Sequence, residues 1–235
     1  MEKGKTLIVI PAYNEQNNIG GVIGDVRAQL PAADILVIND GSVDATSRKA
    51  RQTAGVKVVD LPCNLGIGGA VQTGFRYARD HGYDYMVQID GDGQHRPDEV
   101  GKLTAAMAAG GCDMVIGSRF LDVRSFRTSW QRRLGIITFR YLFRLLLGLH
   151  ITDGTSGFRL YNRKSIAVLA RQYASDYPEP DAIVLLHKHG LAIAEVGVAM
   201  RARENGRSSI TAIKSPYYMA KVTLSIIFAC LRTRW

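Results

Sequence analysis

The chain has 235 residues, with 30 Lys/Arg against 21 Asp/Glu and a formal charge of +9. Its 46% hydrophobic content, with 24 Gly, is that of one large or two small packed domains and excludes a disordered tail, a collagen and a disulfide scaffold. Cys63, Cys112 and Cys230 lie far apart and form no CxxC pair, so neither a zinc site nor a disulfide framework is expected and a reducing compartment is the default.

Residues 6–10 (TLIVI) form a β-branched apolar run closed by Pro11, the pattern of a buried strand. It is too short for a secretory h-region, so no export signal is expected. Similar runs predict strands at 35–38, 56–59, 85–89 and 114–116. Helical spacing separates them: Ile19, Val22, Ile23, Val26 and Leu30, then residues 70–78, then Val100, Leu103 and Met107. Strand alternating with helix predicts an α/β fold with a mostly parallel sheet covered on both faces, in which ligands bind outside the carboxyl ends of the strands.

The pattern changes beyond Arg119. Residues 124–149 mix six Arg with apolar runs, and Trp130, Leu134, Ile137, Tyr141, Leu145 and Leu149 define a helical stripe edged by Arg132, Arg133, Arg140 and Arg144. Residues 217–231 are apolar apart from Lys221 and a few small polar positions, yet at ~1.5 Å per residue they reach about 22 Å, short of the roughly 30 Å of a hydrocarbon core. Such a segment lies in an interface or packs on the domain. Charge follows the same division: residues 1–118 carry 11 Lys/Arg and 14 Asp/Glu, net −3, and residues 119–235 carry 19 and 7, net +12. A basic half of this kind faces phosphate, whether of a nucleic acid, an anionic membrane or a substrate.

The predicted strand ends collect unusual residues. Asp90 and Asp92 flank Gly91, and in extended chain both carboxylates point the same way, hard oxygen donors suited to Mg²⁺ or Mn²⁺. Alone, this triplet is more often a polar turn. Its company argues otherwise: Asn14 and Glu15 follow the first strand, Asp40, Gly41, Ser42 and Asp44 the second, and the glycine-rich stretch 64–70 opens a helix whose free N–H groups can meet phosphate. The glycine spacing is not GxGxxG, so a dinucleotide site is not supported.

Taken together, VIPAYNE (9–15), VINDGSVDAT (37–46), NLGIGGAVQTGF (64–75), IDGDGQHRP (89–97), GSRF (117–120), TDGTSGFRLY (152–161) and RENGRSS (203–209) closely resemble the family 2 glycosyltransferases, in particular their polyprenyl-phosphate sugar synthases. The resemblance implies a GT-A fold over residues 1–209, followed by a basic amphipathic helical appendage at 210–235. It also implies a UDP-, GDP- or dTDP-sugar donor, a divalent metal, inversion at the anomeric carbon and a polyprenyl phosphate acceptor. Carried over by position, Pro11, Tyr13, Glu15, Ile38 and Asp40 would hold the nucleoside. Asp90, Gly91 and Asp92 would meet the diphosphate and metal, with Gln94 as a further metal ligand. Arg119 and Arg203 would neutralise phosphate charge. The late motif usually ends in Lys, where this chain has Ser209, with Arg207 two residues earlier.

A phosphate acceptor is already ionised at neutral pH, which agrees with the lack of any Ser/His/Asp or Cys/His arrangement. Asp153 either orients sugar or acceptor or caps the turn before Gly154. His95 is read as a hydrogen-bonding support of the metal loop. The Arg-edged stripe is read as a membrane-docking face rather than a merely solvated one. A peripheral enzyme on the cytoplasmic face follows, with an integral membrane partner open as an anchor. Two other readings compete. One is transfer to a growing glycan or glycolipid; the other is nucleic-acid binding by the basic half, which the acidic residues at 40, 90 and 92 oppose.

Overall fold

The computed structural model describes residues 4–121, 130–202, 221, 223–228 and 230, with the backbone alone at 130–136. Seven strands form one sheet in the order β3-β2-β1-β4-β6-β5-β7. The five anticipated strands are β1 (Thr6–Ala12), β2 (Asp34–Asn39), β3 (Val56–Asp60), β4 (Tyr85–Gln88) and β5 (Met114–Ser118). Helices α1 (Ile19–Gln29), α2 (Thr46–Arg51), α3 (Gly66–Asp80) and α4 (Val100–Gly110) connect them. All seven residues of β1 are buried, which is why its sequence is a continuous apolar run instead of an alternating one.

The chain runs β1, β2, β3 outward in one direction, then returns through α3 to place β4 on the other side of β1, in parallel. The strand order therefore reverses at β1, and the carboxyl ends of β1, β2 and β4 open onto one crevice.

Two short strands were not anticipated. β6 (Arg159–Asn162) runs antiparallel between β4 and β5, and β7 (Ile193–Gly197) pairs parallel with β5 at the sheet edge. Because β6 is antiparallel, its amino end lies at the carboxyl ends of its neighbours: Arg159 pairs with Gln88 of β4 and with Ile116 of β5. The segment 152–158 is thereby delivered to the same rim as Asp90.

Two apolar layers cover the sheet. One gathers α1 and α4 through Ile19, Ile23, Val26 and Leu103. The other gathers α3, α5 (Trp130–Leu147), α6 (Arg163–Arg171) and α7 (Pro178–Lys188) through Phe75, Phe143, Ile166 and Leu186. Residues 223–228 are helical, and Ile226 is fully buried in this second layer while Leu224 and Phe228 are exposed. On α5, Phe139 and Phe143 turn into the core, whereas Ile137, Tyr141, Leu145 and Leu146 are exposed beside the exposed Arg140 and Arg144. Of the predicted stripe, Ile137, Tyr141 and Leu145 thus lie on the solvent face of the helix, whereas Leu149 falls beyond its end and packs half-buried against the core; the side chains of Trp130, Arg132, Arg133 and Leu134 lie outside the described residues. No helix among the described residues is long and apolar enough to cross a membrane.

Candidate active site

The crevice holds a cavity of about 750 Å³ lined by Pro11, Tyr13, Glu15 and Asp40 on one side and by Asp90, Gly91 and Asp92 on the other. Ile38 is fully buried in β2 within the apolar core and is not among the lining residues.

The loops forming this rim are tied to one another before any ligand arrives. Asn14 N–H donates to Ser42 Oγ (2.9 Å), Val43 N–H to Asn14 Oδ1 (3.0 Å) and Glu15 N–H to Thr46 Oγ1 (2.8 Å), closing the β1–α1 loop onto the β2–α2 loop. Asp40 is buried, and its Oδ1 accepts from Leu65 N–H (2.7 Å), which draws the start of α3 to the cavity wall. Gly41 permits that approach: it has φ +67°, and a Cβ there would lie 2.7 Å from Asn64 N. Asn64, Gly66, Ile67 and Ala70 accordingly line the cavity and present the amino end of α3 to it.

Asp90 and Asp92 supply the acidic wall. His95 is buried, stacks on Phe158 with ring centroids 5.1 Å apart, and accepts from Asp90 N–H through Nδ1 (3.0 Å). That assigns the ring proton to Nε2 and makes His95 a support of the loop. Asp90 Oδ1 accepts from Gln88 Nε2 (3.2 Å), and Asp92 Oδ1 accepts from the Gln94 backbone N–H (3.0 Å). Gly157 leaves room here: a Cβ would stand 2.9 Å from Gln88 Nε2 and 3.2 Å and 3.3 Å from the Asp90 carboxylate oxygens. Among the described residues no group of three or more His, Cys, Asp or Glu gathers as a metal cage. Two carboxylates at the wall of a wide cavity still suit a cation such as Mg²⁺, which keeps waters and takes other ligands from phosphate.

Arg119 follows β5, and Asp153 grips it. Nε and Nη2 of Arg119 donate to the two oxygens of Asp153 at 2.7 Å each, and its backbone N–H donates to the same carboxylate at 3.1 Å. The Asp153 side chain is 0% exposed and that of Arg119 26%. Burial opposes the charge of Arg119, yet the hydrogen bonds and charge of Asp153, with Asp90 and Glu179 adding to them, hold its pKa above the ordinary value. Asp153, expected either to orient sugar or acceptor or to cap the turn before Gly154, spends its carboxylate on Arg119 instead, a third role. Arg203 and Ser209 lie outside the described residues.

Two further charged residues stand behind the rim. Arg159 is fully buried and donates to the carbonyls of Ser156 (2.6 Å), Glu179 (2.8 Å) and Gly154 (2.9 Å), stitching the 153–157 turn to the start of α7. Desolvation is the largest influence on the Glu179 carboxyl and pushes its pKa up, against the lowering effect of Arg159. Arg159 lies inside the motif TDGTSGFRLY, whereas sequence reasoning missed Glu179, for which the flanking Pro178 and Pro180 are the only local signal.

With this geometry in place, comparison with known proteins defines the class. The Glycosyl transferase family 2 profile matches residues 7–169, and the chain belongs to that family. It is 33% identical over 230 residues to a polyprenol monophosphomannose synthase of Mycolicibacterium smegmatis, covering 93% of this chain and 85% of that one. It is 30% identical over 219 residues to an undecaprenyl-phosphate mannosyltransferase of Micrococcus luteus, covering 88% of each. Glucosyl-3-phosphoglycerate synthase of Mycobacterium tuberculosis, crystallised with Mn²⁺, UDP-glucose and phosphoglyceric acid, superposes with a TM-score of 0.75 at 23% identity, covering 97% of this chain and 80% of that one, a likeness of fold. The protein is a family 2 glycosyltransferase of GT-A-like fold.

The raised pKa of Glu179 carries a sign. A carboxyl whose folded-state pKa exceeds its unfolded one favours folding below the unfolded value, and that contribution is lost as pH rises through the folded value. Glu179→Gln removes this loss. Urea unfolding should therefore show the variant gaining stability relative to wild type from about pH 4, just below the usual Glu pKa of about 4.3, to about pH 7.5. An equal difference at both pH values contradicts the assignment.

Proposed function

We propose that this glycosyltransferase moves a hexose, with inversion, from a nucleoside-diphosphate sugar to a polyprenyl phosphate at a membrane surface. The observation that carries the reading is the Asp90–Asp92 wall beside Arg119 clamped by Asp153, with the Arg-edged helix α5 packed through Phe143 against Gly154 of the same turn. The named relatives, a polyprenol monophosphomannose synthase and an undecaprenyl-phosphate mannosyltransferase, support the acceptor class.

In this reading the nucleoside lies against Pro11, Tyr13, Glu15 and Asp40, and its diphosphate reaches the amino end of α3 and the Asp90–Asp92 wall. Asp90 and Asp92, with Gln94 beside them, would hold Mg²⁺ or Mn²⁺, which when bound supplies positive charge to the departing diphosphate. Arg119, already oriented by Asp153, neutralises phosphate charge without reorganising during the reaction. An acceptor phosphate oxygen forms a bond to the anomeric carbon as the bond to the diphosphate breaks, so configuration inverts and no proton has to be removed. Arg203 and Ser209 are assigned to the diphosphate by resemblance alone.

The lipid tail is assigned to α5. Phe143 anchors that helix against the rim turn, since a Cβ on Gly154 would lie 2.3 Å from its ring, and the exposed Ile137, Tyr141 and Leu145 with Arg140 and Arg144 offer apolar surface and positive charge together. No acidic residue occurs in α5, so the surface complements an anionic membrane. Three free thiols support the cytoplasmic face. The division of the chain at residue 209 stands as part of the same proposal.

Incubating the protein with UDP-, GDP- and dTDP-hexoses, polyprenyl phosphate and Mg²⁺ or Mn²⁺ tests this directly. Lipid-linked sugar is expected from one donor class, abolished by EDTA and lowered about 10²- to 10³-fold in Asp92→Asn, the loss of ~3 to 4 kcal/mol of charge stabilisation. Product that survives EDTA, or that forms only on glycan acceptors, sinks the reading.

The membrane face has its own test. With ~1 kcal/mol per basic residue near an anionic surface, the double substitution Arg140→Glu, Arg144→Glu should strongly reduce flotation with anionic liposomes and lipid transfer, while leaving thermal stability unchanged. Wild-type flotation and transfer by that variant contradict it.

A further inference from the structure

Glu195 lies on the edge strand β7, in register with Ile116 of β5 and on the same strand face as Ile193, which packs against the apolar layer containing α5. An apolar residue would serve such a position, since a carboxylate withdrawn from water is costly unless its oxygens are satisfied. Among the described residues, the hydrogen-bond partners of its carboxylate come from two adjacent residues at the rim. Oε2 accepts from Thr152 N–H (2.7 Å) and Thr152 Oγ1 (3.0 Å), and Oε1 accepts from Asp153 N–H (2.7 Å). The Thr152 hydroxyl also meets Ser118 Oγ at 2.7 Å, at the end of β5 and next to Arg119. Behind Glu195 the strand is itself pinned, because Ala192 N–H donates to Asp113 Oδ2 (2.9 Å).

We infer that Glu195 is a positioning residue for phosphate-group chemistry at this site: it fixes the Thr152–Asp153 backbone, and through the Asp153 carboxylate it sets the direction of the Arg119 guanidinium. This rests on the reading of Arg119 as the cation that meets phosphate. The relay runs from the sheet edge to the Arg119 side chain in two steps, Glu195 to the adjacent backbone N–H groups of Thr152 and Asp153, and the Asp153 carboxylate to Arg119, each made of at least two hydrogen bonds. Two bonds per step restrict rotation as well as distance. Removing the second acceptor oxygen of Glu195 turns an –NH₂ toward one of these donors, so the turn must shift, and a misplacement of about 1 Å at a catalytic cation costs on the order of 10²-fold in rate.

A double-mutant cycle separates positioning from mere support of the fold. Glu195→Gln should lower kcat for sugar transfer about 10- to 100-fold, within the cost of such a misplacement, with the donor KM changed far less. In an Arg119→Ala background the same substitution should cost less than about 2-fold, because the group it orients is gone. Losses that multiply overturn the relay, since Glu195 would then act independently of Arg119. An Arg119→Ala enzyme with wild-type kcat overturns the reading of Arg119 beneath it, and the relay with it. If Glu195→Gln does not fold, Thr152→Val carries the cycle: it deletes only the hydroxyl between Ser118 and Glu195, and the same non-additivity with Arg119→Ala is expected, simple multiplication being the overturning result.

Discussion

A guanidinium gripped at two nitrogens and its own backbone by a carboxylate that no water reaches sets much of the geometry at this rim. Burying Asp153 is tolerable only because its charge is matched and its oxygens are occupied by Arg119 and Thr155. That requirement fixes the exit of β5 against the 152–158 turn. The turn in turn enters β6, whose antiparallel register brings Gly157 against the Asp90 carboxylate. Arg159 then locks the turn onto the start of α7. Positive and negative groups on this rim are therefore positioned by the same short segment, and the site is organised in advance of its charges being used.

The charge division of the chain acquires a spatial meaning. The acidic half supplies the cavity wall, with Asp40 spent largely on holding Leu65 and the start of α3. The basic half supplies Arg119 and the exposed arginines of α5. Phe143 joins the two tasks, since one side chain both buries α5 in the core and packs against Gly154 of the rim turn.

Four of the five strands of the α/β alternation were legible because largely buried strands show as apolar runs, as in TLIVI, while the half-exposed edge strand β3 was legible from its valines. β6 and β7 were not, for a common reason. RLYN spends Arg159 on buried carbonyls and Asn162 on capping α6, where its Oδ1 accepts from Lys164 N–H and Ser165 N–H; IAEVG spends Glu195 on the rim turn. Their polarity disguises them as loops. At the site, Glu15, Asp40, Asp90 and Asp92 could be read from their places just beyond apolar runs, whereas Pro11 and Tyr13 were carried by resemblance. Glu195 could not, because its partners lie 42 and 43 residues away and no local spacing reports a long-range hydrogen bond. Ile38, carried by resemblance, shows the opposite limit: a position matched by motif whose side chain faces the core.

The central claim is that Asp90 and Asp92 join a divalent metal to the donor diphosphate at this crevice. Titration calorimetry of a nucleoside diphosphate into the protein, with Mn²⁺ and with EDTA, measures that contact without any turnover. Wild-type protein should bind the nucleoside diphosphate more tightly with Mn²⁺ than with EDTA, and Asp92→Asn should lose that gain while keeping its fold. An equal gain from Mn²⁺ in the two proteins would place the metal elsewhere and contradict the account.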